Sequence, residues 1–174
     1  MGAIGSAITL TGGAYTLISG INWAEAEIFP ITRVFLALGL ILTSFGFLGI
    51  FRETGSYIPI IPFIFFNLYQ IIGTLLSPFL HLGYFTPAYL VTWSIMFIAY
   101  GFAGYSFQMT HDRIGGIATT AAILTVIWAF LRIAAAYETV VTDDLLFHHL
   151  RAIGESIVMA SVLIYFIIAM RIRK

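Results

Sequence analysis

Long segments without a charged residue, separated by short polar turns, are the feature that most constrains the fold of this sequence. A segment of about 18 or more uncharged, mostly apolar residues can cross the hydrocarbon core of a bilayer as an α-helix. Only 9% of the residues are charged, whereas soluble domains carry about 25%. So few charges cannot cover the surface of a water-soluble globule. The sequence therefore predicts an all-α integral membrane protein whose solvent is a lipid bilayer.

Polar turns and a helix-start signal divide the chain into six predicted transmembrane helices that form one domain over residues 1–174. Ser56 is a candidate N-cap for the third helix, and Thr86-Pro87 is a strong start signal for the fourth. The first helix is rich in small residues, which allow helices to approach closely, and its Ala3 and Ala7 could dock another membrane subunit or a second copy. The six helices are predicted at about 2–21, 32–51, 57–80, 87–109, 114–137 and 143–173.

Basic residues predict the orientation of these helices in the membrane. An even number of spans places both termini on one side, and the tail Arg171–Lys174 is basic. The positive-inside rule assigns that side, with Arg52 and Arg113, to the cytoplasm. The other side carries most of the acidic residues and histidines. We therefore predict a multi-pass protein of the cell membrane with both termini cytoplasmic.

A stripe of polar residues on the third predicted helix is the main candidate binding surface. Their spacings of three, four, three and four place them on one helical face, which should contact protein or water rather than lipid. We interpret this face as the inner wall of a polar cavity in the outer half of the bundle. Alternatively, it only forms hydrogen bonds between helices. The stripe consists of Asn67, Gln70, Thr74, Ser77 and His81.

Arg132 and Glu155 are the candidate charged residues of the same cavity. At ~1.5 Å per residue, both lie roughly 6–8 Å below the outer rim on consecutive antiparallel helices, which makes them natural partners. Ionisable residues inside a membrane are costly and usually functional. Alternatively, Arg132 snorkels to the outer interface or lies over Trp128 in a cation–π contact. Glu155 could likewise be neutralised by Arg151, one turn away on its own helix.

An aromatic stripe on the fourth helix is interpreted as packing rather than as a ligand site. It consists of Tyr89, Trp93, Met96 and Tyr100, at spacings of four, three and four. Residues at such spacings share one helical face, which is more often part of a core than of a binding box.

Histidines near the outer rim allow two further hypotheses about cofactors. His81 together with His148 or His149 could ligate the iron of a haem b, with Arg132 near a propionate. Asp144 and His148, one helical turn apart, could form half of a divalent-metal site.

The sequence contains no recognisable catalytic motif, and we predict no catalytic residues. It has no Cys, which excludes disulfides and iron–sulfur clusters, and it lacks zinc-protease, phosphate-loop and dinucleotide-binding signatures. Its Lys and Arg residues are dispersed, so nothing favours nucleic-acid binding. The sequence therefore favours small-solute transport or solute binding. The alternatives are a membrane subunit of a larger complex, including a haem- or quinone-dependent electron-transfer complex, and a structural scaffold without a ligand.

Overall fold

A computed structural model describes residues 1–19, 30–76, 87–141 and 146–172 of the 174-residue chain. Side chains are described at 1–11, 37–69, 94–134 and 153–172 and at residues 91, 137 and 150. In these ranges all regular structure is helical, which confirms the all-α prediction. The helices are α1 Gly2–Ser19, α2 Pro30–Thr54, α3 Ile60–Leu76, α4 Pro87–Gln108, α5 His111–Ile114, α6 Gly116–Val141 and α7 Leu146–Ile172.

Three of the described helices contain segments long and apolar enough to cross a membrane. In these segments only 33–39% of the residues are buried inside the bundle. Most of the others are apolar and would need lipid as their solvent. The structure thus supports membrane embedding, and the count of six spans stays a prediction. The three segments are Ala37–Thr54, Gly116–Ala134 and Ile153–Ile172, and shorter apolar segments lie at Gly2–Thr11 and Ile60–Tyr69.

Within the described residues, the six long helices form a closed ring in chain order. Each packs against the next in the order α1, α2, α3, α4, α6 and α7, and α7 packs back against α1. Gly5 of α1 lies opposite Thr43 of α2, whereas Thr9, one turn further along α1, lies opposite Gly39. These two helices are therefore antiparallel, and α4 and α6 pair in the same way. Both pairs fit an up-and-down helical bundle.

The turn between α2 and α3 is fixed by local hydrogen bonds. Gly55 adopts a φ of 67°, and its amide donates to the Phe51 carbonyl at 2.8 Å. This left-handed conformation after a helix end favours glycine. The Ser56 hydroxyl accepts a hydrogen bond from the Ile58 amide at 3.3 Å. Ser56 therefore caps the turn that leads into α3, although the regular helix begins later than predicted, at Ile60.

Small residues bring the backbones of α1 and α2 into contact. A Cβ atom added to Gly5 would overlap the backbone nitrogen of Thr43 and lie 2.5 Å from the carbonyl oxygen of Gly39. The predicted close approach of α1 to a neighbour is thus confirmed. Ala3 is buried in the core of the bundle. That part of the predicted docking face therefore packs inside the chain, and association with another subunit stays a prediction.

A chain of aromatic rings fills the centre of the described bundle. Adjacent ring centroids are 4.6–6.0 Å apart. Such offset and edge contacts contribute about 0.5–1.5 kcal/mol each beyond the burial of apolar area. The centre of the bundle is therefore packed with side chains rather than open. The rings, in order of contact, are Trp128, Tyr100, Phe66, Phe47, Phe107 and Tyr165.

Candidate functional site

Arg132 lies beside Trp128 inside the helical bundle. Its guanidinium carbon is 4.8 Å from the centroid of the indole ring. Trp128 precedes Arg132 by one turn of α6, so the guanidinium points back along the helix, as long helical side chains tend to do. Arg132 is half-buried, and a cation–π contact contributes about 0.5–2 kcal/mol, depending on how far it is removed from water. The cation–π interpretation of Arg132 is therefore confirmed.

The Tyr100 hydroxyl lies between α4, α6 and α7, near Arg132 and Glu155. The Arg132 guanidinium donates a hydrogen bond to this hydroxyl, and the Glu155 carboxylate is close enough to act on it through its charge. The Tyr100 ring is held edge-on against Trp128, with centroids 4.6 Å apart. Helices α4, α6 and α7 thus contribute to a common site. Arg132 contacts the Tyr100 hydroxyl and Glu155 lies in the surroundings of that hydroxyl, while a direct ion pair between Arg132 and Glu155 stays a prediction.

The indole nitrogen of Trp128 is a buried donor for which the described residues supply no acceptor. Trp128 is 1% exposed and Glu155 8% exposed, so solvent has little access to these two side chains, whereas Arg132 is half-buried. A buried donor without an acceptor costs about 1–3 kcal/mol. The Tyr100 hydroxyl can both donate and accept, and the Glu155 carboxylate accepts, but neither is a hydrogen-bond partner of the indole N–H. An oxygen atom of a ligand or a water molecule would complete the hydrogen bonding of Trp128.

Neither Tyr100 nor Trp128 is predicted from the sequence as a site residue. The spacing of Tyr100 matches an aromatic packing stripe, and its ring does pack in the core. Only its hydroxyl belongs to the site. The spacing of residues along a helix cannot distinguish a ring that only packs from one whose hydroxyl also takes part in a site. For Trp128, the available signal is its position one turn before an intramembrane arginine.

Asn67 connects helices through its side chain. Its amide donates one hydrogen bond to the Ser44 hydroxyl of α2 and another to the carbonyl of Phe63 one turn earlier, both at 2.7 Å. The Ser44 hydroxyl in turn donates to the Ile41 carbonyl at 2.6 Å. Both amide protons of Asn67 thus take part in hydrogen bonds to other residues of the bundle. At this position the geometry favours the interpretation that the stripe forms hydrogen bonds between helices.

The remaining predicted site residues have side chains that the structure does not describe. Among the described side chains, no group of three or more His, Asp or Glu residues could hold a metal ion. The lining of the outer cavity, the haem hypothesis and the metal hypothesis therefore stay predictions. The undescribed side chains are those of Gln70, Thr74, Ser77, His81, Asp144, His148, His149 and Arg151.

A second polar region lies at the end of the bundle where α2 and α7 finish. A cavity of about 250 Å³ there is lined by Arg52, Glu53, Arg113 and Ile172. Arg113 and Glu53 form an ion pair of 2.9 Å across this region. Arg52 and Arg113 thus lie together at one end, where the sequence predicts the cytoplasmic side.

No protein-family model matches the chain, and no curated protein or solved structure is significantly similar to it. The function has to be inferred from the residues of the chain and their geometry.

Proposed function

We propose that the chain is a multi-pass membrane protein with six spans that binds or transports a small polar solute. The observation that carries this proposal is the buried cluster of Tyr100, Trp128, Arg132 and Glu155, in which an indole N–H lacks an acceptor among the described residues. Ionisable residues within a membrane are costly, and they commonly mark a binding site or pathway. The solute would place an acceptor oxygen against Trp128 and Arg132, and a charged or polar group against Glu155.

The arrangement of the chain ends supports a topology with both termini in the cytoplasm. Met1 and Met170 line a common cavity, so the two ends of the described chain lie at the same end of the bundle. Arg52 and Arg113 also lie there, beside Ile172. The positive-inside rule favours the cytoplasm for an end that carries these basic residues.

The packed centre of the bundle favours a binding site over an open channel. The aromatic chain runs from Trp128, a member of the cluster, to Tyr165, whose hydroxyl is 2.9 Å from that of Thr110. Thr110 immediately precedes α5, near the basic end of the bundle. A solute would therefore reach the cluster from the opposite, outer end, along the face of α3 that carries the rest of the polar stripe.

Thermal unfolding in detergent against a panel of small solutes tests this proposal. The panel contains monocarboxylates, amino acids, amides and amines. A binding solute raises the free energy of unfolding by about 2.7 kcal/mol at a concentration of 100 times its Kd. We expect such a shift with an acceptor-bearing solute, and we expect it to decrease strongly in Tyr100→Phe and Trp128→Phe, which remove polar atoms but retain an aromatic ring.

Tyr105→Phe is the matched control, because Tyr105 is 55% exposed and lies on the same helix as Tyr100. This variant should retain the full shift. Equal shifts in all three variants would place the binding site elsewhere. If no solute stabilised the wild-type protein and proteoliposomes showed no uptake of any panel member, the proposal would be wrong.

A structural scaffold is the second candidate, and the Asn67–Ser44 hydrogen bond favours it. In a scaffold, the polar groups would set only the register of the helices. Replacing Glu155 and Arg132 together by apolar residues should then leave the function of any larger complex intact. An absorption spectrum of the purified protein separately tests the haem alternative, because bound haem would give a Soret band.

A further inference from the structure

The cavity between the ends of α2, α5 and α7 combines arginine side chains with an apolar wall. It measures about 250 Å³ and is lined by Arg52, Glu53, Arg113 and Ile172. The side chain of Arg113 is 63% exposed, whereas that of Glu53 is only 12% exposed. Arg52 is also exposed. The guanidinium groups are therefore accessible to a ligand that approaches from this end.

The charges lining this cavity favour an anion. Two arginines face one glutamate, so the lining carries a formal excess of one positive charge. A guanidinium presents several N–H donors in a planar fork that matches the oxygens of a phosphate group. The Arg113–Glu53 ion pair occupies one edge of the Arg113 fork at 2.9 Å and orients the side chain. Arg113 has further N–H donors beyond this pair, and it lines the cavity together with Arg52.

The apolar surface beside the arginines favours an amphiphilic anion over a free one. Ile172 lines the cavity and is 50% exposed. Ile172 is also the last residue of the candidate span Ile153–Ile172. A phospholipid whose headgroup lies near the arginines would therefore have the apolar end of this span beside its acyl chains.

We propose that this cavity binds the phosphate headgroup of an anionic phospholipid, with Arg52 and Arg113 as the phosphate contacts. Basic pockets between helices on the cytoplasmic side of a membrane commonly bind such headgroups. The proposal requires the bundle to be embedded in a membrane. It does not require the solute site at Tyr100, which is a separate cluster of residues.

Competition binding with the purified full-length protein in detergent tests the proposal. The probe is a fluorescent phosphatidylglycerol, displaced by unlabelled phosphatidylglycerol, phosphatidylcholine or inorganic phosphate. A basic residue near an anionic lipid surface contributes about 1 kcal/mol, which corresponds to about a fivefold change in affinity. We expect Arg52→Gln and Arg113→Gln each to weaken phosphatidylglycerol binding about fivefold. Phosphatidylcholine should compete poorly.

Two further variants distinguish lipid binding at this cavity from two other effects of the substitutions, namely a general loss of positive charge and the loss of the ion pair. Arg171→Gln removes the same charge at the same end from an exposed residue that does not line the cavity, and it should retain near-normal affinity. Glu53→Gln breaks the same ion pair as Arg113→Gln but leaves both arginines, so phosphatidylglycerol should bind equally or more tightly.

Three results would overturn the proposal. Equal losses in Arg171→Gln and Arg52→Gln would show that only overall positive charge attracts the lipid. Weaker binding in Glu53→Gln would show that the ion pair, rather than the arginines, supports binding. Complete displacement of the probe by millimolar inorganic phosphate would indicate a site for a soluble anion instead of a lipid.

Discussion

The Asn67 amide donates a hydrogen bond to the Ser44 hydroxyl over 2.7 Å, and this bond joins α3 to α2. Ser44 is fully buried, and its hydroxyl donates a hydrogen bond to the Ile41 carbonyl. A residue expected to face a cavity therefore holds two neighbouring helices in register. The Ser44 hydroxyl therefore both donates and accepts a hydrogen bond, as expected for a buried hydroxyl.

A double-mutant cycle on this pair should show a measurable coupling energy. We expect Asn67→Ala and Ser44→Ala each to destabilise the protein, and the double variant to lose less than the sum of the two. Interhelical hydrogen bonds in membranes average about 0.6 kcal/mol and reach about 1.7 kcal/mol. Unfolding in mixed detergent micelles would measure the coupling. Strict additivity of the two substitutions would show that the hydrogen bond contributes nothing to stability.

The contact of Gly5 with α2 makes this position sensitive to a single methyl group. A Cβ atom at Gly5 would meet the α2 backbone, which cannot rotate away as a side chain could. Overpacking of this kind typically costs about 1–3 kcal/mol. Gly5→Ala should therefore lower the midpoint of thermal unfolding, although alanine is the better helix former.

Gly101→Ala is the control for that substitution. A Cβ atom at Gly101 would meet nothing within 4 Å. The higher helix propensity of alanine should then dominate and raise stability by up to about 1 kcal/mol. Opposite signs of the two changes are expected in the same detergent, and a stabilising Gly5→Ala would contradict the observed α1–α2 contact.

The positions of the helices follow largely from local sequence signals. Polar turns separate most apolar segments, Pro87 begins α4 as predicted, and the glycines of α1 indicate a close neighbour. Each of these signals depends on a few consecutive residues. The sequence therefore predicts where helices form and which of them can approach closely.

The composition of the candidate site depends on contacts that no local signal specifies. Tyr100 reaches Arg132 only because α4 and α6 pair in one particular register, and a rotation of either helix would separate these side chains. Asn67 shares a face with the rest of its stripe, but its direction toward Ser44 is set by the packing of α3 on α2. Residues that share a helical face need not therefore share a function.

The ion pair between Arg113 and Glu53 should contribute little to stability, although it is short. Arg113 is 63% exposed, and pairs with an exposed partner typically contribute about 0–1 kcal/mol. We expect Arg113→Gln to change the free energy of unfolding by less than about 1 kcal/mol at low salt, and by less still at high salt. Unfolding curves at two salt concentrations would measure this. A large loss independent of salt would mean that Arg113 has a structural role beyond this pair.

Arg132 and Glu155 should depend on each other for stability. Removing either charge would leave the other one unpaired in a poorly solvated site. Breaking a buried charge pair from one side costs about 3–5 kcal/mol, whereas replacing both charges can be neutral. Glu155→Gln and Arg132→Gln should each destabilise the bundle strongly, and the double variant should recover most of the loss.

Ile157→Leu, on the exposed face of α7, controls for general sensitivity to substitution. The free energy lost in the double variant could instead equal the sum of the losses in the two single variants. The two charges would then act independently, and they would not form the electrostatic pair that their positions in the sequence predict.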